Sequence, residues 1–315
     1  MYTFFNILAK LALFFYTRKI FANFDLNTNF NQPKILASNH PNSFFDAIII
    51  AVKYPKPIYF LARGDAFKNK IVANFLKSIH LIPIYRLSEG KENLSKNDAT
   101  FQICLDLLRN NQTILIFSEG LCVNEWQLRS LKKGTARLAL LALNENINSL
   151  LVQPVNLNYS SFSTNPKEVE LNFNKEINVK NIEKTSENNF YRNFNIQLKE
   201  GILNKMVVKI DTKNISLFDK KRNYLKLLLL ATPAFIGFFT QYWMYKIIKL
   251  VAIQKTKNSV FYDSVLFGML LVFYPITIIS ISLLFSLTIN SYFGLATLIF
   301  LPLTAYCYKE FKSNL

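Results

Sequence analysis

Residues 34–52 read KILASNHPNSFFDAIIIAV, and the change of period inside them decides the fold. KILAS is a short apolar run of the kind a fully buried strand needs. Pro41 pushes its predecessor toward extended backbone, and Asn42 or Ser43 stands where a cap is needed for a helix running through FFDAIIIAV. The stretch is thus strand, turn, helix. It brings His40 to the carboxyl edge of a sheet and puts Asp46 in the first turns of the helix. On one continuous helix, positions six apart point about 120° apart, so contact between the two residues requires the intervening turn. Given that turn, the carboxylate can hold one imidazole nitrogen and leave the other to take a proton from an alcohol. Read alone, the pair also fits a strand-end histidine beside a carboxylate that caps or solubilises a helix.

The same alternation continues outward to about Asp211. Apolar runs PIYFLA (57–62), LIPIY (81–85), TILIFS (113–118), LLVQPVNLNY (150–159) and EVELNF (168–173) are separated by helical stretches at 66–78, 93–110 and 132–146. This pattern predicts an α/β fold, a mixed and largely buried β-sheet flanked by helices. The second of two histidines, His80, sits in SIHLIPIY with no carboxylate nearby and reads as structural. Cys104, Cys122 and Cys307 are odd in number and scattered, which fits a reducing compartment and no structural metal. No G-x-S-x-G, P-loop or dinucleotide fingerprint is present.

Composition then selects a partner. The formal charge of +17 suits nucleic acid, an anionic bilayer or phosphorylated substrates equally, but 51% hydrophobic residues with 29 phenylalanines favours the bilayer. No basic stripe interleaved with aromatics marks a nucleic-acid module, so none is expected as a partner. Residues 1–33 open with MYTFFNILAKLALFFYTRKIF, interrupted by Lys10 and lacking a cleavage site, and read as a retained N-terminal helix lying in the membrane interface. Residues 34–220 form the central domain, and residues 221–315 a membrane region. No charged residue lies between Asp263 and Lys309, and the run breaks at Asn290–Ser291 into 264–287 and 292–308, a helical hairpin. Lys255 and Lys257 on one flank and Lys309 and Lys312 on the other put both ends, and the central domain, on the cytoplasmic side of an inner membrane. The segment 225–245 has basic residues on both sides, which favours a re-entrant or in-plane helix kinked at Pro233 over a full crossing.

SNHPNSFFDA, 38–47, resembles the first motif of the glycerolipid acyltransferase superfamily, with five residues between His and Asp where four are commonest. LIPIYR (81–86), IFSEG (116–120), with Ser118 in place of the usual proline, LKKG (131–134) and VQPVNLNY (152–159) resemble the later blocks in their order. The resemblance spans roughly residues 34–178. It implies an O-acyltransferase of phospholipid synthesis, with His40 and Asp46 catalytic and Arg86, joined by Arg63 of LARGD, binding the substrate phosphate. It also implies that Glu119 and Gly120 shape the acceptor site, that Lys133 neutralises phosphate or the acyl donor, and that 152–159 walls an acyl channel. Since Glu119 would repel a phosphate, it is expected to hold an arginine or a backbone amide. The expected partners are membrane lipids, acyl-CoA or acyl carrier protein as donor substrate, and lysophosphatidic acid or glycerol 3-phosphate as acceptor, with no cofactor and no metal. An amino-acid lyso-lipid acceptor and a non-catalytic lipid-binding protein on the same fold are the alternatives.

Overall fold

The structure, a computed structural model, describes residues 1–85, 96–209, 217–218 and 223–314. Its centre is a sheet in which β2 (Lys34–Ser38), β3 (Ile58–Arg63), β4 (Leu81–Ile84), β5 (Thr113–Phe117) and β6 (Leu151–Tyr159) run parallel in the spatial order β6-β2-β5-β3-β4. β7 (Lys167–Phe173) joins β6 antiparallel, β1 (Thr17–Phe24) joins β7 in parallel, and the two-residue β8 (Ile177–Asn178) pairs with the start of β6. The sheet is mixed, as the sequence predicts.

Alternation along the strands builds a core on each face. Ile35, Ala37, Ile114, Ile116 and Val152 face one way, against α4 (Lys96–Arg109), α5 (Lys133–Asn144) and α6 (Glu187–Leu203). Leu36, Leu115, Val155, Leu157 and Tyr159 face the other, against α1 (Tyr2–Tyr16) and α2 (Phe44–Lys53). The asparagine-rich stretch around 181–195 runs into the helix α6. Its Phe190, Phe194, Leu198 and Ile202 recur every fourth position and are all buried. The short α3 (Lys70–Ser78) follows β3.

Two boundaries differ from the sequence reading. The N-terminal helix ends at Tyr16 and the next eight residues, TRKIFANF, are β1, because the sheet edge at β7 offers a ladder that an interfacial helix would leave unpaired. Along α1, Phe4, Ile7, Leu11 and Phe14 form an exposed apolar row while Ala9, Leu13 and Tyr16 are buried. At the other end, α7 (Tyr224–Thr256), α8 (Tyr262–Thr288) and α9 (Ser291–Asn314) are each long and apolar enough to cross a membrane. Pro233 does not break α7, so this segment does not turn back on itself as a re-entrant helix would. Nor are these helices a separate body: Met244, Ile248, Ala252, Tyr262, Leu266 and Phe267 share one core with Phe45, Tyr159 and Val169 of the sheet layer. Between α1 and the three helices lies an apolar cavity of about 480 Å³.

Candidate active site

Because β2, β5 and β3 are parallel, the residues that follow them emerge at one edge of the sheet. β2 ends at Ser38, and Asn39 fixes the exit by accepting from Leu157 N at 2.9 Å and donating to Leu157 O at 3.2 Å. The chain then turns through Pro41–Ser43, and Ser43 stands at the helix N-cap with φ 54° and ψ −144° and no side-chain cap bond. That left-handed φ is costly for a residue with a Cβ. It folds residues 40 and 46 together across the turn.

The result is a hydrogen bond of 2.9 Å between His40 Nδ1 and Asp46 Oδ2. Asp46 is fully buried, and its carboxylate is satisfied by three groups, since Oδ2 also accepts from Asn42 N at 2.8 Å and Oδ1 accepts from the Tyr159 hydroxyl at 2.6 Å. Burial and the Asp46 charge hold the Tyr159 phenol well above its ordinary pKa, so it stays a donor. The His40 ring stacks on Phe117, with centroids 3.8 Å apart, and its side chain is 13% exposed. Among the described residues its Nε2 makes no hydrogen bond. The imidazole is therefore gripped on one nitrogen, clamped on one face, and open on the other nitrogen.

Glu119, just past β5, lies beneath this loop and holds two backbone amides, accepting from His40 N at 3.2 Å and from Arg129 N at 3.1 Å. Burial raises its pKa above the ordinary carboxylate value, and the two amides oppose the shift. Gly120 has φ +70°, and a Cβ there would come 3.0 Å from Lys132 Cγ. It is Lys132 that lies over Gly120, while Lys133 sits 6.0 Å from the Tyr191 ring centroid and so reaches toward α6. Arg63 ends β3 at the same sheet edge as His40, with β5 between their strands, and pairs with Asp65 at the surface. Arg86 lies outside the described residues. Thus His40, Asp46, Glu119 and Gly120 come together, and Arg63 and Lys133 stand apart from the pair. His80 immediately precedes β4 at the opposite edge, sandwiched between the rings of Tyr2 and Tyr59, and burial lowers its pKa. It has no carboxylate partner among the described residues.

Several residues that sequence reasoning passed over support the turn. Asp263, in the first turn of α8, is 1% exposed, with Oδ2 accepting from Asn42 Nδ2 at 2.6 Å and pairing with Lys167 Nζ at 2.7 Å, and Oδ1 accepting from the Tyr16 hydroxyl at 2.6 Å. Its neighbour Ser264 donates to Asn42 O at 3.0 Å and accepts from Phe45 N at 3.1 Å. Asn124 Nδ2 donates to Pro41 O, and Cys122 Sγ accepts from Ser43 N. The signal for Asp263 was its position, a lone carboxylate at the head of a charge-free run.

Residues 20–158 match the family model described as Acyltransferase. The chain is 27% identical over 106 residues to the 1-acyl-sn-glycerol-3-phosphate acyltransferase of Bacillus subtilis, a match covering 33% of this chain and 48% of that one. The chain thus spans about half the length of the curated relative it matches. Among solved structures it is similar to the 1-acyl-sn-glycerophosphate (LPA) acyltransferase, PlsC, from Thermotoga maritima, at 17% identity and a TM-score of 0.47, covering 66% of this chain and 81% of that one.

Proposed function

Because the chain belongs to the glycerolipid acyltransferase superfamily, we propose that it transfers a fatty acyl group from a thioester, acyl-CoA or acyl carrier protein, to the free hydroxyl of lysophosphatidic acid. Glycerol 3-phosphate is the second acceptor to test. The observation that carries this reading is the 2.9 Å contact between His40 Nδ1 and the buried Asp46, with Nε2 open.

In the reaction, His40 Nε2 takes the hydroxyl proton as the acceptor oxygen attacks the thioester carbonyl, and Asp46 fixes the tautomer and stabilises the imidazolium. A C–O bond forms, the C–S bond breaks, and the imidazolium returns the proton to the leaving thiolate. No covalent acyl-enzyme is required. The turn 42–46 uses most of its amides internally: Asn42 N, Ser43 N, Phe45 N and Asp46 N each donate within the protein. Phe44 N, at the positive end of α2, donates to no acceptor among the described residues and is the amide we assign to the oxyanion of the tetrahedral intermediate. Arg86 is assigned to the acceptor phosphate, and the Lys132 side chain over Gly120 adds a cation on that side of the site. Glu119 acts through the amides it holds. The apolar cavity beside α1 offers room for a fatty chain.

The lysine flanks of the 264–308 hairpin support a placement on the cytoplasmic face of the inner membrane. The test of the acceptor is a labelled acyl-transfer assay on purified protein in mixed micelles, with lysophosphatidic acid and glycerol 3-phosphate offered in parallel. Labelled phosphatidic acid from the first is expected. Product from glycerol 3-phosphate alone would reassign the acceptor, and product from neither would overturn the reading.

A further inference from the structure

The turn that joins His40 to Asp46 is gripped by a helix from the far end of the chain. α8 reaches it at three atoms: Asp263 takes the Asn42 carboxamide, while Ser264 takes Asn42 O and Phe45 N. Those atoms bracket Ser43, the residue held at φ 54°. A strained φ of this kind persists only where its surroundings over-determine it. Ser43 makes no side-chain cap. The local bonds from Asn42 N to Asp46 Oδ2 and from Asp46 N to Ser43 O close the turn, Cys122 and Asn124 hold it from the β5 side, and α8 holds residues on both sides of Ser43.

The grip is electrostatically expensive and therefore informative. Asp263 and Lys167 are both essentially unexposed, and burying such a pair gains little stability over apolar residues of the same size. Burial lowers the Lys167 pKa, and the carboxylate of Asp263, 2.7 Å away, opposes that shift, with a smaller opposing contribution from Asp46. Tyr16 closes the cluster from α1.

We propose that Asp263, with Ser264 beside it, is a positioning residue for acyl transfer: the head of α8 holds the 42–45 turn in the conformation that keeps His40 on Asp46. Asp263 touches neither the imidazole nor the Asp46 carboxylate, and it lies outside the residues 20–158 that match the acyltransferase model. The inference rests on the proposed role of His40. It makes the site a composite, complete only when a membrane-region helix is docked on the sheet layer.

The test uses full-length protein in micelles and the variants Asp263→Ala, Ser264→Ala and Asn42→Ala. Carbethoxylation of the two histidines by diethyl pyrocarbonate, followed by mass spectrometry, reports on the turn whether or not the protein is active. His40 should change in reactivity several-fold in Asp263→Ala and Ser264→Ala, with His80, held between Tyr2 and Tyr59, unchanged as the internal control. In the acyl-transfer assay, kcat should fall on the order of 10²-fold in Asp263→Ala with KM nearly constant, as for a misplaced catalytic group. The Asn42→Ala/Asp263→Ala double variant should be no worse than Asp263→Ala alone. Ser264→Ala keeps the Asp263–Lys167 pair and guards against a folding failure. Unchanged His40 reactivity, or equal changes at both histidines, overturns the proposal. Wild-type protein inactive toward every acceptor would count against the functional reading instead, and the histidine chemistry would still decide this one.

Discussion

The proposed chemistry rests on an imidazole whose two nitrogens have different surroundings. Nδ1 meets a carboxylate satisfied by His40, Asn42 and Tyr159, and Nε2 meets none of the described residues. Replacing Asp46 with Asn presents an amide where a carboxylate belongs and releases the tautomer, so kcat should drop on the order of 10³–10⁴-fold with the protein still folded, by analogy with other His–Asp pairs. Tyr159→Phe is subtler. It strips one donor from a buried carboxylate, a loss of about 1–3 kcal/mol that thermal unfolding will detect. Glu119 gives a pH-dependent signature. Its folded pKa is raised, so between the ordinary carboxylate value and the raised one the folded state keeps a proton that the unfolded chain has released, and stability falls as pH rises through that window. Unfolding midpoints measured across acidic pH should show this slope in wild type and lose it in Glu119→Gln. At this scale the sequence was most legible where chemistry is local. His40 and Asp46 are six positions apart and separated by a proline turn, whereas Asn42 and Asp263 are 221 apart and no period links them.

Elements were legible in proportion to how far their own side chains explain them. The strands at 34–38, 113–117 and 151–159 are apolar runs buried on both faces, and the reading placed each within a residue or so. β1 was hidden because its apolar residues continue those of α1, and only the partner strand β7 shows why the chain straightens at Thr17. α6 was hidden by asparagines between its four core positions. Phe194, fully buried on α6, should cost about 3–5 kcal/mol when changed to Ala, seen as a lowered unfolding midpoint with kcat per folded molecule retained, because its cluster is on the sheet face away from α2. Gly120→Ala should behave in the opposite way. The left-handed φ costs an L-residue about 1–2 kcal/mol, and the new methyl displaces Lys132, so activity should fall with it.

Over the whole molecule, the boundary drawn near residue 220 follows hydropathy but not packing. α7 and α8 complete the core on the α2 face, and α9 is pinned to the N-terminal part through Lys309 Nζ on Phe14 O and Lys312 Nζ on Asn165 O. Hydropathy marks what can enter a bilayer and carries no information about which buried face a helix end will cover. Both ends of the 264–308 hairpin therefore lie beside the sheet layer and α1, with its turn at Asn290–Ser291 at the far end of α8 and α9. With the lysines kept in the cytoplasm, a cysteine replacing Asn290 should react with a membrane-impermeant maleimide from the outer side, while one replacing Asn258 should react only from the cytoplasmic side. The reverse labelling would invert the topology. The central claim is that His40 is the base of an acyl transfer, and the most direct measurement is the rate of labelled ester formation by wild type and His40→Ala, both shown to be folded in the same micelles. The account predicts ester from the wild type and a loss of at least about 10²-fold in the variant. Equal rates in the two proteins would contradict it.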